Sequence, residues 1–280
     1  MIKKVLIANR GEIAVRIIRC CKSMGIGTVA IFEKGDGCAW HTELADESYE
    51  LSGSYLDISN IVEIARECGA DGVHPGYGFL AENSEFAEAV IGAGLVFIGP
   101  APETISLCGD KVACRKLAKK LSIPLLPSSE LSHKPEDKSL SKKTKEFCAK
   151  AGFPVLIKSA FGGGGRGMRL ANSEEELLSN LHSAARESQA HFSNSKLYLE
   201  KYVQNGRHIE VQILGDKYGN VIHLFERDCT YQRRHQKIIE ESPAANISAA
   251  LRKNLHEAAV KLGSVASYLG AGTVEFLVDG

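Results

Sequence analysis

The 280-residue sequence predicts an α/β fold that passes into an α+β one. A doubly wound parallel sheet comes first, then a small lobe carrying a glycine loop, then the start of an antiparallel-sheet lobe. Three patterns carry this reading. Up to about residue 100, short apolar runs alternate with segments of helical periodicity, as parallel strands joined by crossover helices require. After Arg207, apolar and polar residues alternate one by one, which marks strands with one covered face. Between these regions an apolar run ending in a lysine leads into four consecutive glycines, residues 162–165.

Residues 4–8 (Lys-Val-Leu-Ile-Ala) form the first strand, and Ile13, Ile17, Cys21 and Met24 then recur at helical spacing until Gly25 stops the helix. Residues 28–32 supply the second strand. Ser59 is placed to cap a helix whose Val62, Ile64, Ala65 and Cys68 face inward before Gly69, and a third strand runs through Gly72-Val-His-Pro75. Asn83 opens a helix to Val90, and residues 95–98 make the fourth strand. The first lobe is assigned to residues 1–110, its sheet ending at Gly99-Pro100.

A helix over about residues 110–121 connects to a small α+β lobe, residues 111–202. Residues 128–145 are polar and rich in Ser and Lys, and read as a solvated loop or a poorly packed helix. The capping box Ser173-Glu-Glu-Glu176 starts a helix with Leu177, Leu178, Leu181 and Ala185 inward, and a strand over 196–203 leads out. In the third lobe, residues 203–280, Ile209, Val211 and Ile213 alternate with His208, Glu210 and Gln212. Asp216-Lys-Tyr-Gly-Asn220 turns the chain into an antiparallel partner at 221–225. A long helix with Leu251, Leu255, Ala258 and Leu262 on one stripe precedes a last strand at 273–278.

Lys plus Arg and Asp plus Glu are balanced at 34 each, so no global field points to nucleic acid or an anionic membrane, and any anion site is local. The eight cysteines form no Cys-x-x-Cys pair and read as reduced thiols. No apolar run reaches transmembrane length, and the first strand begins almost at the initiator, so the expected location is cytoplasmic.

The residues that could carry chemistry cluster around the glycines. Val155-Leu-Ile-Lys-Ser-Ala-Phe-Gly-Gly-Gly-Gly-Arg-Gly-Met-Arg169 reads as a phosphate cover, because glycines let backbone N–H groups wrap an anion while Lys158 and Arg166 add countercharge. A flexible linker is the bland alternative. Lys158, in a buried-type strand, needs an anion. Lys111, after Cys108-Gly-Asp110, is by itself an ordinary surface lysine. Asn9-Arg-Gly-Glu12 follows the first strand but has one glycine, so a dinucleotide fingerprint fails. His74-Pro-Gly-Tyr-Gly-Phe79 is either a ligand loop at a strand's carboxyl end or a stiff turn. Glu200-Lys-Tyr-Val203 ends a strand where backbone groups could read a purine edge. Arg227-Asp-Cys-Thr-Tyr-Gln-Arg-Arg-His-Gln-Lys237 crowds four cations and a histidine after a strand and reads as a small-anion site. Glu275, in an apolar strand, requires a metal or a cation partner.

Taken together, Ile7-Ala-Asn-Arg-Gly-Glu-Ile-Ala14, His74-Pro-Gly-Tyr-Gly-Phe-Leu80, the loop 162–168, the segment 227–237 and Gly272-Thr-Val-Glu-Phe276 resemble biotin carboxylase, the ATP-grasp component of biotin-dependent carboxylases. The resemblance runs in order through the whole chain. It implies that the glycine-loop lobe is the ATP-grasp lid and that residues 203–280 begin the C-terminal ATP-grasp lobe. It also implies ATP-dependent carboxylation of biotin on a carrier protein, through carboxyphosphate formed from bicarbonate, with Mg2+ or Mn2+. By resemblance, Lys111 and Lys158 contact the ATP phosphates, and Gly164, Gly165 and Met168 belong to the lid. Glu200, Lys201 and Val203 read adenine, with His208, Gln232 and His235 near ribose and phosphates. Lys237 and Gln236 hold bicarbonate, and Glu275 ligates the metal. A biotin carboxyl carrier, a carboxyltransferase and a homodimeric full-length form are the implied partners.

Two departures qualify the resemblance. Phe161 replaces a glycine common in acetyl-CoA carboxylase subunits of fatty acid biosynthesis and looks more like the pyruvate carboxylase branch, leaving the acceptor open. The family's second metal-binding glutamate, an asparagine, the catalytic arginine and the glutamate base are not found, so the sequence is expected to be C-terminally truncated. A non-catalytic nucleotide-binding remnant and another ATP-grasp ligase, such as a carbamoyl-phosphate synthase half, are the alternatives.

Overall fold

The computed structural model describes residues 1–131, 139–160, 168–192, 196–234 and 236–279. The readings placed on Phe161, Gly164, Gly165, Arg166 and His235 lie outside the described residues. The chain forms two compact units, Met1–Ser106 with Ser267–Ala271, and Leu107–Ala266 with Gly272–Gly280. Among the described residues no helix is long and apolar enough to cross a membrane.

In the first unit, strands β1 (Lys4–Ile7), β2 (Gly27–Phe32), β3 (Glu47–Glu50), β4 (Gly72–His74) and β5 (Val96–Phe97) lie in the order β3-β2-β1-β4-β5. Every neighbouring pair is parallel. Helices α1 (Gly11–Ser23), α2 (Trp40–Leu44), α3 (Ile58–Glu67), α4 (Ser84–Gly92) and α5 (Pro102–Gly109) intervene in sequence. The strand period of two sends successive β1 residues to opposite faces. Val5 and Ile7 pack with Ala14, Ile17 and Ile18 of α1, whereas Leu6 packs with Ile61 and Ile64 of α3 and with Phe86 and Val90 of α4. Each such fully buried side chain contributes about 1.5–3 kcal/mol of transfer free energy. The doubly wound sheet is therefore present, with one strand more than the sequence predicts. Strand β3, Glu-Ser-Tyr-Glu, sits at the sheet edge with alternate residues exposed, so it carries no apolar signal.

The cap of α3 differs from the expectation. Asp57 is the N-cap and accepts from Asn60 N, while the Ser59 hydroxyl donates to Asp57 Oδ1 at 2.7 Å. The acid wins because its ionised oxygen is the stronger acceptor at a helix N-terminus.

Residues 74–79 form a stiff turn held from the first strand's end. Asn9, 3% exposed, donates from Nδ2 to the carbonyls of Pro75 at 2.8 Å and Tyr77 at 2.7 Å. Gly76 has φ +64°, and a Cβ there would come within 2.8 Å of that same Nδ2. Asn9→Ala removes both donors and leaves the carbonyls without them. The expected cost is about 2 kcal/mol in urea unfolding of the protein.

In the second unit, α6 (Lys111–Lys120) starts at Asp110, whose carboxylate accepts from Val112 N and Ala113 N. A four-stranded sheet follows in the order β6 (Ser128–Glu130), β9 (Leu197–Lys201), β7 (Val155–Ser159), β8 (Arg169–Ala171), antiparallel throughout. Helices α7 (Lys142–Ala151) and α8 (Glu174–Phe192) belong to the same region, and Leu177 and Leu181 of α8 pack with Val155, Ile157 and Leu199. The stretch 128–145 is thus corrected at both ends, to strand β6 and to the start of α7. Its polar residues misled because β6 is an edge strand with little burial. The capping box is displaced by one residue: Ser173 accepts from Glu176 N, but the Glu176 carboxylate accepts from Asn172 N at 2.8 Å.

The second sheet of this unit has the order β11-β10-β14, from β10 (Arg207–Gly215), β11 (Val221–Asp228) and β14 (Gly270–Val278). β10 and β11 are antiparallel, with a register shift between Val211 and Ile213. A two-stranded hairpin, β12 (Gln232–Arg233) with β13 (Gln236–Lys237), and helix α9 (Ala249–Val265) complete it. The buried stripe of α9 is Leu255, Ala259 and Gly263 with His256, rather than Leu251, Ala258 and Leu262.

His256 is buried because β11 offers it an acid. Glu226, fully buried, accepts from Arg252 Nε at 2.8 Å and Ala244 N at 3.2 Å, and pairs with His256 Nε2. Burial pushes the Glu226 carboxyl up, but Arg252 and His256 outweigh it and hold the group below its ordinary 4.5. A depressed carboxylate contributes stability that is fully present above the unfolded-state value and is lost as pH falls through the folded one. Glu226→Gln is therefore expected to flatten the acid limb of stability below pH 4.5, read by urea unfolding between about pH 3 and pH 7.

Candidate active site

Strand periodicity places His208, Glu210 and Gln212 on one face of β10, and hairpin register sets Arg227 of β11 opposite Glu210. Glu210 is 3% exposed. Arg227 Nε donates to Glu210 Oε1 at 2.7 Å, and its NH1 donates to Gln212 Oε1 at 3.0 Å. Gln212 in turn donates to the Gly272 carbonyl at 2.8 Å, which ties the pair to β14. The β12–β13 hairpin, with Gln232 opposite Lys237, brings Lys237 Nζ onto Glu210 Oε2 and to 3.0 Å from Glu275 Oε1. His208 Nε2 lies 3.4 Å from the same Glu275 oxygen, and His208 Nδ1 is 2.9 Å from Gln232 Nε2.

The electrostatics follow from this alternation of signs. Burial alone would lower the Lys237 ammonium, but Glu210 and Glu275 raise it well above its ordinary value. Burial pushes Glu210 up, and Lys237 and Arg227 more than offset it. Glu275 is held down to about 2, first by His208, against burial, and then by Lys237. Glu210, Lys237 and Glu275 each keep their charge near neutral pH because their neighbours supply the opposite one.

One ligand atom each from His208, Glu210 and Glu275 lies within 4.8 Å of the others, a spacing that a divalent cation can occupy. The donors suit the ion unequally. Both oxygens of Glu210 already meet cations, whereas Glu275, with its side chain 55% exposed, is the acid open to solvent. Carboxylate oxygen at such a position suits Mg2+, which keeps several waters and takes few protein ligands.

A second cluster lies in the four-stranded sheet. Lys158 of β7 donates from Nζ to Glu200 Oε1 at 2.5 Å, and Arg115 of α6 donates from NH1 to Glu200 Oε2 at 2.6 Å. The Glu200 side chain is 5% exposed. The anion that Lys158 requires is thus, in this structure, Glu200. Lys201 donates from Nζ to the Gly152 carbonyl at 3.3 Å, and half-buried Val203 follows the strand's end. Lys111 N donates to the Ala160 carbonyl at 3.0 Å, which fixes the first turn of α6 against the end of β7. Met168 is half-buried immediately before β8.

The structure thus gathers His208, Gln232, Lys237 and Glu275 into one cluster and Lys158 with Glu200 into another. Gln236 is exposed and pairs with Arg233 across the hairpin. Sequence reasoning gave no role to Glu210, Gln212 or Arg115, and took Arg227 as one of four cations of a small-anion site rather than as the partner of Glu210. The turn at residues 216–220 pairs Gly215 with Val221 and by itself would set Glu210 opposite Glu226; the register shift between Val211 and Ile213 puts Arg227 there instead, so the sequence carried no signal for the pair. Arg115 had none either, since an arginine on an amphipathic helix reads as surface.

The class and family follow from comparison with known proteins. Residues 110–280 match the carbamoyl-phosphate synthase L chain, ATP binding domain, so the second unit is of the ATP-grasp class. Residues 1–105 match the biotin carboxylase, N-terminal domain, and the chain belongs to the biotin carboxylase family. It is 45% identical to biotin carboxylase 1 of Bacillus subtilis over 100% of its own length and 62% of that protein. It is 47% identical to the mitochondrial pyruvate carboxylase of Mus musculus, over 99% of this chain and 24% of the relative. A biotin carboxylase–β-γ-ATP complex from Campylobacter jejuni superposes with TM-score 0.94 at 43% identity, covering 100% of this chain and 63% of that one. The biotin carboxylase domain dimer of the Hydrogenobacter thermophilus 2-oxoglutarate carboxylase, in complex with MgADP, ADP and bicarbonate, gives 0.93 at 45% identity, covering 100% and 61%. The chain thus spans about a quarter of the pyruvate carboxylases and about three fifths of the separate biotin carboxylases that it matches.

Proposed function

We propose that this chain serves ATP- and bicarbonate-dependent carboxylation of biotin on a carrier, as the biotin carboxylase part of a biotin-dependent carboxylase. The observation that carries the proposal is Lys237 between Glu210 and Glu275, with His208 and Gln232 alongside: a fixed cation beside an acid suited to Mg2+. The complex of the Hydrogenobacter thermophilus relative with MgADP and bicarbonate supports the same pairing of ligands.

In this reading, a bicarbonate oxygen attacks the γ-phosphorus of ATP, and the bond to ADP breaks as carboxyphosphate forms. Carboxyphosphate then releases CO2 and phosphate, and biotin N1 bonds to CO2 as its proton passes to the released phosphate. Such a reaction is served mainly by positioning and charge neutralisation. Lys158 and Lys111 take the phosphates, with Gly164, Gly165 and Met168 as the cover. Backbone groups of Glu200, Lys201 and Val203 meet adenine. His208, Gln232 and His235 lie towards ribose and phosphates, and Lys237 with Gln236 holds bicarbonate. Glu275 would hold Mg2+, which would supply countercharge to the phosphates.

The lobes proposed for this work are residues 1–110, 111–202 and 203–280. The partners are a biotin carboxyl carrier, a carboxyltransferase and a second copy of the full-length subunit. The identity of the acyl acceptor, pyruvate or a CoA ester, belongs to the carboxyltransferase. Eight free cysteines support the reducing cytosol as the compartment.

Calorimetric titration with MgATP, followed by phosphate-release assays, tests the reading. MgATP binding is expected of the chain, and of the full-length subunit phosphate release that requires bicarbonate and rises when free biotin is added. Hydrolysis indifferent to both would overturn it, and stimulation by ammonia in place of biotin would favour a carbamoyl-phosphate synthase chemistry.

A further inference from the structure

Among the described residues the cluster at Glu200 contains one buried carboxylate and two cations, one charge more than neutrality needs. The two cations are held differently. Arg115 is fixed at three points: NH1 on Glu200 Oε2 at 2.6 Å, and NH2 on the Leu126 carbonyl at 2.5 Å and the Ser128 hydroxyl at 3.1 Å. Its guanidinium also lies 5.9 Å from the centre of the Tyr198 ring. Among the described residues Lys158 makes a single charged contact, Nζ to Glu200 Oε1, at the end of a flexible four-carbon stem.

We propose that Arg115 is a positioning residue that makes Lys158 exchangeable: Lys158 rests on Glu200 without nucleotide and transfers to a nucleotide phosphate, while Arg115 remains as the permanent partner of Glu200. The proposal rests on the nucleotide reading above and adds the device by which that site is poised. With Arg115 absent, Lys158 would be the sole countercharge of a buried acid. Its departure would leave that acid unpaired, a state that buried carboxylates strongly disfavour. Glu200 would then compete with phosphate for Lys158, and the fraction of protein ready to bind would fall, weakening apparent affinity in proportion. With Arg115 present, the cluster keeps one cation to spare and aims it at an anion. No bond is made or broken in the step; an ammonium moves from one oxygen anion to another.

The test is calorimetry on the intact protein with MgATP, MgADP and adenosine. Arg115→Met is expected to weaken MgATP and MgADP by about tenfold and to leave adenosine within about twofold, because adenosine offers Lys158 no phosphate. Arg115→Lys, which restores the charge without the fork, is expected to recover part of the loss. In Arg115→Met with Glu200→Gln the competing charge is gone, and MgATP affinity is expected to return to within about threefold of the starting protein. Wild-type MgATP affinity in Arg115→Met, an equal loss for adenosine, or no recovery in the double variant overturns the proposal. Should Arg115→Met fail to fold, Glu200→Gln alone decides: tighter MgATP binding supports the exchange, and weaker binding refutes it. Failure of the unsubstituted protein to bind MgATP overturns the nucleotide reading itself and is seen before any substitution is made.

Discussion

Lys158→Ala is expected to lower MgATP affinity by at least about a hundredfold, or about 2.7 kcal/mol, in calorimetric titration. The loss is that of a charge-assisted contact to phosphate in a partly dry site, where such contacts are stronger than in water. The same substitution is expected to change the urea midpoint little. Glu200 would lose one counterion, but Arg115 still pairs with it at 2.6 Å, so no buried charge is left alone. This separation of binding from stability distinguishes a ligand contact from a scaffold one. Unchanged ATP affinity in the variant would refute the assignment of Lys158 to the phosphates.

Glu210→Ala is expected to act in the opposite way, on the fold itself. The carboxylate is almost wholly buried, and Arg227 and Lys237 meet its two oxygens, so truncation leaves two cations facing each other across a cavity. Removing one partner of such a group costs about 3 kcal/mol, towards the low end of the usual range because the side chains of both cations are between a quarter and a third exposed. Urea unfolding at neutral pH measures it. Glu210→Gln keeps the volume and one acceptor and is expected to lose about 1–2 kcal/mol. A cost below about 1 kcal/mol for the alanine variant would show that water enters and solvates the cations, contrary to the tight geometry.

Much of the fold was legible because its signals are local. β1, β2 and β4 are apolar runs, α4 carries its own cap at Asn83, and the β10–β11 hairpin shows both alternation and a turn. What escaped was set by neighbours distant in sequence. β3 is polar and gains its strand state only by pairing with β2. His256 is buried only because Glu226 comes from another element, so a stripe drawn from apolar residues alone was rotated on α9. The candidate site divides in the same way. Lys158, Glu275 and Lys237 stood out as charges in or beside apolar strands. Arg115, Arg227 and Glu210 are the partners that make those charges tolerable, and pairing at separations of 85 and 17 residues leaves little trace in a linear reading.

The ammonium of Lys237 has three N–H bonds in tetrahedral array. Two are committed, to Glu210 and to Glu275, and among the described residues this leaves one bearing for a further acceptor. A lysine so tethered no longer behaves as a swinging point charge. It acts as a compass needle: an incoming anion meets a donor of fixed direction, and its trajectory is set by the two acids rather than by the base it binds.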